Sequence, residues 1–252
     1  MEESTGLIIR PCEDLDEFDA CIQLQVKTWG AEDRDLITRS GFLIAHSTGG
    51  QVLGAWKATP EGEPLLVGTA LAYISVTNGE VSLYSHMLAV DASCRNLGIG
   101  RALKLAQRED ALRRGIQRIE WTFDPLEIKN SFLNITRLGA VVRRYKPNYY
   151  GDSASPLHGG LPTDRLIAEW WLASDRVVRT LRGEAVAVQV EETIQVPFMI
   201  SAWKADRATR SGALEVQARN RERFQAAFQH GLAVIGFATD AEGNGVFQLG
   251  PA

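Results

Sequence analysis

The sequence predicts an α/β fold: a mixed, mostly antiparallel sheet flanked by helices, followed by a smaller α+β region. Three observations point there. Between Leu7 and Val90 most of the apolar runs are short and β-like, and two of them flank Asn78-Gly79, the strongest short hairpin signal. From Gly98 to Leu172 helical periodicity and short strands alternate. Beyond Gly183 the pattern returns to brief β-like runs around one amphipathic stretch.

Taken in order, Leu7–Arg10 reads as a strand stopped by Pro11. Asp14 or Asp16 caps a helix to about Trp29, whose apolar positions are Phe18, Cys21, Ile22 and Val26. A second helix is expected within Asp35–His46. Strands follow at Val52–Lys57, Leu65–Val76 and Val81–Val90, then a helix over Gly98–Arg114 that stops at Gly115. Arg118–Phe123 reads as a strand, Leu126–Leu138 as a helix ended by Gly139, and Ala140–Tyr145 and Leu166–Leu172 as strands around a long loop. The first part is thus β-α-α-β-β-β-α-β-α-β-β. After a linker with a short helix at Ser174–Gly183, the tail reads as β-like runs at Ala185–Val190 and Thr193–Ile200, a helix Ala213–His230, and strands Ala233–Ala238 and Val246–Leu249. The expected domains are 1–175 and 176–252, the second packing on the first or against a dimer partner.

Composition narrows the function classes. Of 252 residues 45% are hydrophobic and 23% charged, enough to pack a core. The net charge of −4 argues against nucleic acid as a partner. Three cysteines with no C-x-x-C pair argue against a disulfide framework or a metal site and fit a reducing cytoplasm. The acidic start lacks signal-peptide character, and no run approaches the ~18 apolar residues of a membrane span.

The chemistry concentrates in Leu88–Leu103, LAVDASCRNLGIGRAL, where a strand runs through a glycine-bearing turn into a helix. Free amides at the positive end of a helix dipole make a ready pyrophosphate site. Gly98 and Gly100 admit close backbone approach, and Arg95 and Arg101 add charge. A P-loop fits less well because no Gly-Lys-Ser/Thr follows, and a dinucleotide fingerprint fits less well because Leu103 replaces its third glycine.

Arg95-x-x-Gly98-x-Gly100 resembles the R/Q-x-x-G-x-G/A signature of the GNAT N-acetyltransferase superfamily. Leu88-x-Val90 and Ala102-Leu103 resemble the rest of its motif A, and Leu138-Gly139-Ala140 resembles motif B, so the likeness spans about Leu7 to Leu172. It implies the GNAT fold, in a bacterial-type chain with a C-terminal extension. Acetyl-CoA, or another short acyl-CoA such as succinyl-CoA, would be the cosubstrate, with no metal. The coenzyme would lie where the strand before the signature splays from Arg118–Phe123. Leu88, Ala89 and Val90 would line the pantetheine arm. The segment Arg95, Asn96, Leu97, Gly98, Ile99, Gly100 and Arg101 would hold the pyrophosphate. Asn130, or Asn134, would contact the pantetheine arm.

Acylating an amine calls for a general base and a general acid. His86 is the first candidate base, since period-two alternation places Tyr84, His86, Leu88 and Val90 on one strand face. Arylalkylamine acetyltransferases look similar there, with histidines at the places of Tyr84 and His86. A buried structural histidine is the other reading. Asp124 is a second candidate, as base or ammonium holder, or else a helix cap. The family's usual acid, a tyrosine four residues before the motif B glycine, is replaced by Ile135, leaving Tyr145, Tyr149 and Tyr150 as substitutes, each of which reads otherwise as packing or pocket wall. Arg144 or Arg165 is placed to fork onto a substrate carboxylate. The expected activity is acyl transfer to a small-molecule amine, such as an amino acid, by a monomer or homodimer. The competing readings are a coenzyme A-binding sensor or scaffold and a protein lysine acetyltransferase.

Overall fold

The computed structural model describes residues 6–30, 36–59, 62–151 and 158–252. The chain divides into two compact units, Met1–Ile119 and Glu120–Ala252. This division falls inside a strand. The tail beyond 175 coheres with the strands before it, because Val142 pairs with Val234.

The first unit is an antiparallel meander of β1 (Leu7–Pro11), β2 (Gln51–Lys57), β3 (Leu65–Thr77) and β4 (Glu80–Val90), in that spatial order. Asn78 and Gly79 carry φ of 54° and 81°, the doubly positive pair that a tight hairpin turn requires. Helices α1 (Leu15–Trp29) and α2 (Arg39–Ser47) cover one face and α3 (Ile99–Arg113) the other. Asp14 caps α1 by accepting from the Glu17 amide at 2.9 Å, and Thr38 caps α2. Phe18, Leu24, Phe42, Leu71 and Met87 pack beneath α1 and α2, whereas Leu53, Val67, Ala70, Ile99 and Leu103 pack beneath α3. Cys12 and Cys21 are buried free thiols with their sulfurs 3.9 Å apart.

The second unit orders its strands β5-β7-β6-β9-β10-β8. These are β5 (Arg118–Phe123), β6 (Val141–Lys146), β7 (Arg165–Trp171), β8 (Glu192–Val196), β9 (Ala233–Thr239) and β10 (Gly245–Gly250). Helix α4 opens at Ile128–Ser131 and widens into a π turn over Phe132–Arg137, where the Leu138 amide reaches back to the Leu133 carbonyl. The single α-helix expected there is thus widened, its hydrogen bond reaching one residue further back than in an α-helix. Helices α5 (Asp175–Leu181), α6 (Ile200–Ala205) and α7 (Arg210–Gln229) complete the unit.

Two tail expectations are corrected. Ala185–Val190 forms no strand, since pairing with β10 starts only at Glu192, beside the Glu191 amide bonded to Leu249. The run Thr193–Ile200 ends as a strand at Val196, and Ile200 opens α6 instead.

A buried polar cluster also ties this unit together. Asp164 is fully buried and accepts from Arg221 of α7 at 2.8 and 2.9 Å, from the Tyr145 hydroxyl at 2.5 Å and from the Asn148 amide at 2.9 Å. Burial, and then the hydrogen bond to Asp164, push the Tyr145 phenol far up. Tyr145 stacks on Phe224 of α7, so hydrophobic and ionic contacts coincide there.

Candidate functional site

The signature turn lies wholly in the first unit. Asp91 holds its entry, accepting from the Ser93 amide and hydroxyl at 2.9 and 2.7 Å and from Lys27 at 2.5 Å. The Lys27 hydrogen bond leads the forces that lower its carboxyl to about 2. A 3₁₀ turn, Ala92–Cys94, follows, and then Asn96 and Gly98 adopt positive φ of 65° and 79°. No side chain caps α3. Among the described residues the amides from Asn96 to Arg101 have no backbone acceptor, and Ala102 is the first to find one, Gly98 O at 3.0 Å.

Residues 95–98 are exposed, and a Cβ on Gly98 would meet nothing within 4 Å. Arg101 has a buried Nε without a partner. Orphan amides, open space above Gly98 and this guanidinium suit a pyrophosphate, so the residues present fit the coenzyme that the sequence implies. A Cβ at Gly100 would make ordinary contact with Leu88 at 3.5 Å and Val90 at 4.0 Å, which places Leu88 and Val90 on the α3 face.

His86 is not on that face. Leu71 pairs with Met87 and Ala72 with Ser85, so His86 is the extra residue of a β-bulge. The bulge resets the alternation. Ser85 faces α3, where it receives Lys104 Nζ at 2.8 Å and donates to Gln107 at 3.0 Å. His86 lies instead against Tyr73 and Tyr84, with ring centroids at 5.7 and 6.2 Å, on the side of Met87. Burial lowers the His86 pKa, so its imidazole is neutral at pH 7.

Asp124, Asn130 and Tyr150 belong to the second unit. Asp124 follows β5 and is already engaged: one oxygen accepts from the Leu126 amide at 2.8 Å, the other from Lys204 at 2.8 Å. Lys204, on α6, is buried and also reaches Glu127 at 2.7 Å. Burial pushes its ammonium pKa down, but the two carboxylates outweigh burial and hold it above the usual value. Tyr150 is half exposed, and its hydroxyl lies 2.9 Å from Thr122 Oγ. Asn130 is exposed on the first turn of α4, whereas Asn134 is buried in the π turn. Ile135 is a core residue, 1% exposed.

Of the two forking candidates, Arg144 is spent on Glu120 at 2.6 Å and Glu169 at 3.3 Å. Arg165 carries no ion pair among the described residues. A cleft of about 260 Å³ elsewhere in the unit, beside Arg143, Trp171, Arg176 and Ile235, contains none of the candidates.

Three buried polar residues escaped the sequence reading. Lys104 and Gln107 are buried on the stripe of Leu103 and Ala111, a helical spacing that made them visible in principle. Lys204 lies 80 residues from Asp124, and no local pattern announces that pair. Among the described residues no group of three or more His, Cys, Asp or Glu side chains could hold a metal, and no helix is long and apolar enough to cross a membrane.

Residues 13–130 match the acetyltransferase (GNAT) family. Solved structures share the fold. Arabidopsis thaliana NAA60 in complex with acetyl-CoA is 13% identical, with a TM-score of 0.54, covering 67% of this chain and 99% of its own. A GNAT-family acetyltransferase structure from Desulfovibrio desulfuricans is 14% identical at TM-score 0.51, over 66% and 99%. The ribosomal-protein alanine N-acetyltransferase of Escherichia coli is 17% identical at TM-score 0.50, over 67% and 95%. Comparison with curated proteins finds no match.

Proposed function

We propose, from the match of residues 13–130 to the acetyltransferase (GNAT) family, that the chain transfers a short acyl group from acyl-coenzyme A to the amine of a small acceptor. One observation supports this most: the uncapped start of α3, with Asn96 and Gly98 in the left-handed region and a run of amides left without backbone acceptors. In this reading Arg95–Arg101 hold the pyrophosphate and the Leu88–Val90 backbone aligns the pantetheine arm. The family domain is assigned to 1–175, and 176–252 is the extension that adds α6 and α7.

An acceptor ammonium must lose a proton before it attacks. We assign that proton to His86, which burial keeps neutral at pH 7. The freed amine adds to the thioester carbonyl, the nitrogen gives its second proton to solvent as the C–S bond breaks and the amide forms, and the departing thiolate takes a proton. Tyr150 is our candidate donor, because its exposed hydroxyl is held by Thr122. Asp124 acts by position: with both oxygens committed it anchors Lys204 and the start of α4.

The protein-acceptor alternative rests on the E. coli and Arabidopsis structures, whose likeness is to the fold alone. Assays with acetyl-CoA on free amines and on lysine peptides separate the two. His86→Gln tests the mechanism. Turnover should fall by about 10²-fold or more while acetyl-CoA affinity stays unchanged. The acidic limb of the kcat/KM profile, set by a pKa below the usual histidine value, should disappear. Unchanged turnover would remove His86 from the reaction.

A further inference from the structure

Arg165 opens β7 and is 7% exposed, yet carries no carboxylate partner among the described residues. Its Nη1 donates to the Asp164 carbonyl at 2.9 Å, its Nη2 lies 3.3 Å from His158 Nε2, and its guanidinium sits 5.1 Å over the Tyr150 ring. The neighbouring Asp164 carboxylate offers nothing, being consumed by Arg221, Tyr145 and Asn148. A buried cation without a counter-charge is costly, so a fold that keeps one has a use for it.

His158, held neutral with its pKa lowered to about 4 mainly by burial and then by Arg165, accepts from Arg165 with Nε2 and so bears its proton on Nδ1. It begins the turn His158-Gly159-Gly160, where both glycines have positive φ. A Cβ on Gly159 would lie 2.3 Å from the Lys204 carbonyl, so only glycine lets the turn close onto α6. On the other side of the same turn, a Cβ on Gly160 would lie 3.3 Å from Arg210 Nη1. Arg210 has no ion pair among the described residues, and its Nε is buried without a hydrogen bond. Among the described residues, two guanidinium groups without ion-pair partners therefore flank one clamped turn, and one of them covers the Tyr150 ring.

We propose that Arg165, with Arg210, forms a carboxylate-binding subsite that selects a carboxylate-bearing substrate. This rests on the acyl-transfer reading and deepens it. Two sources share the chemistry: the α-carboxylate of an amino-acid acceptor, or the free carboxylate of a dicarboxylic acyl group such as succinyl. A guanidinium fork suits either.

The test measures coenzyme A release by the full chain in two arms. One compares leucine, methionine and phenylalanine, in both enantiomers, with the decarboxylated amines. The other compares succinyl-CoA with acetyl-CoA. In at least one arm the carboxylated substrate should be favoured about tenfold or more in kcat/KM. Arg165→Gln should abolish that preference while leaving turnover of the carboxylate-free substrate near its original value. Arg210→Gln, at a less buried position, should reduce it and guards against loss of folding in the first variant. No preference in either arm, or a preference that survives both variants, overturns the subsite. Failure of the acyl-transfer reading has a different signature: neither acyl-CoA shifts the melting temperature. The subsite is then read from melting shifts with succinate and the amino acids against the amines. A carboxylate-dependent shift lost in Arg165→Gln supports it, and no shift overturns it.

Discussion

Lys104 shows how one side chain links packing to pH. It is 4% exposed on the sheet-facing side of α3, and burial lowers its pKa from 10.5 to about 7. Between those values the unfolded chain holds a proton that the folded chain has released, so folding gains stability as pH rises through that window. Urea midpoints of the wild type should therefore climb from pH 7 to about 10 relative to those of Lys104→Met. Parallel pH dependence in the two proteins would contradict the assignment. Residue-scale features that depend on local geometry were legible in the sequence: the Asp14 cap, the Asn78-Gly79 turn and the Gly98 requirement all state their own backbone needs. The face occupied by His86 was not, because a bulge is a property of two strands in register, and period-two counting along one strand passes over it.

At the scale of elements, the pairing of α7 with β6 depends on a buried carboxylate. Among the described residues, Arg221→Met leaves Asp164 with the Tyr145 hydroxyl and the Asn148 amide. Removing one partner of such a pair should cost about 3 kcal/mol, read from urea denaturation. Asp164→Asn in the Arg221→Met background should recover part of the loss, because the buried charge goes with it. Equal stability of Arg221→Met and wild type would show the pair to be idle. The same region marks where sequence reading of elements weakens. Ala185–Val190 has β-type residues but no partner before Glu192, and tertiary pairing, not propensity, makes a strand. The helix read at Leu126–Leu138 was found, but its π turn depends on where the Leu133 and Asn134 carbonyls find donors, at Leu138 and Ala140.

At the scale of the whole chain, each compact unit holds its own set of candidate residues. The first presents the signature turn and His86; the second presents Tyr150, Arg165 and the Lys204 anchor. The signature was legible because its chemistry is written in consecutive residues, Arg95 to Gly100. The tail's share was not, since Lys204 and Arg210 meet Asp124, Glu127 and Gly160 only through folding. The account stands or falls on acyl-coenzyme A binding at the start of α3. The direct measurement is thermal unfolding with and without acetyl-CoA, on the wild type and on Gly98→Val. The variant forces a side chain into a φ of 79° at a site where the protein itself offers no clash, so its unliganded stability should fall by only about 1–2 kcal/mol. Acetyl-CoA at 100 times its Kd should stabilise the wild type by about 2.7 kcal/mol and the variant far less. No shift in the wild type, or an equal shift in both proteins, would contradict the assignment of this turn as the pyrophosphate site.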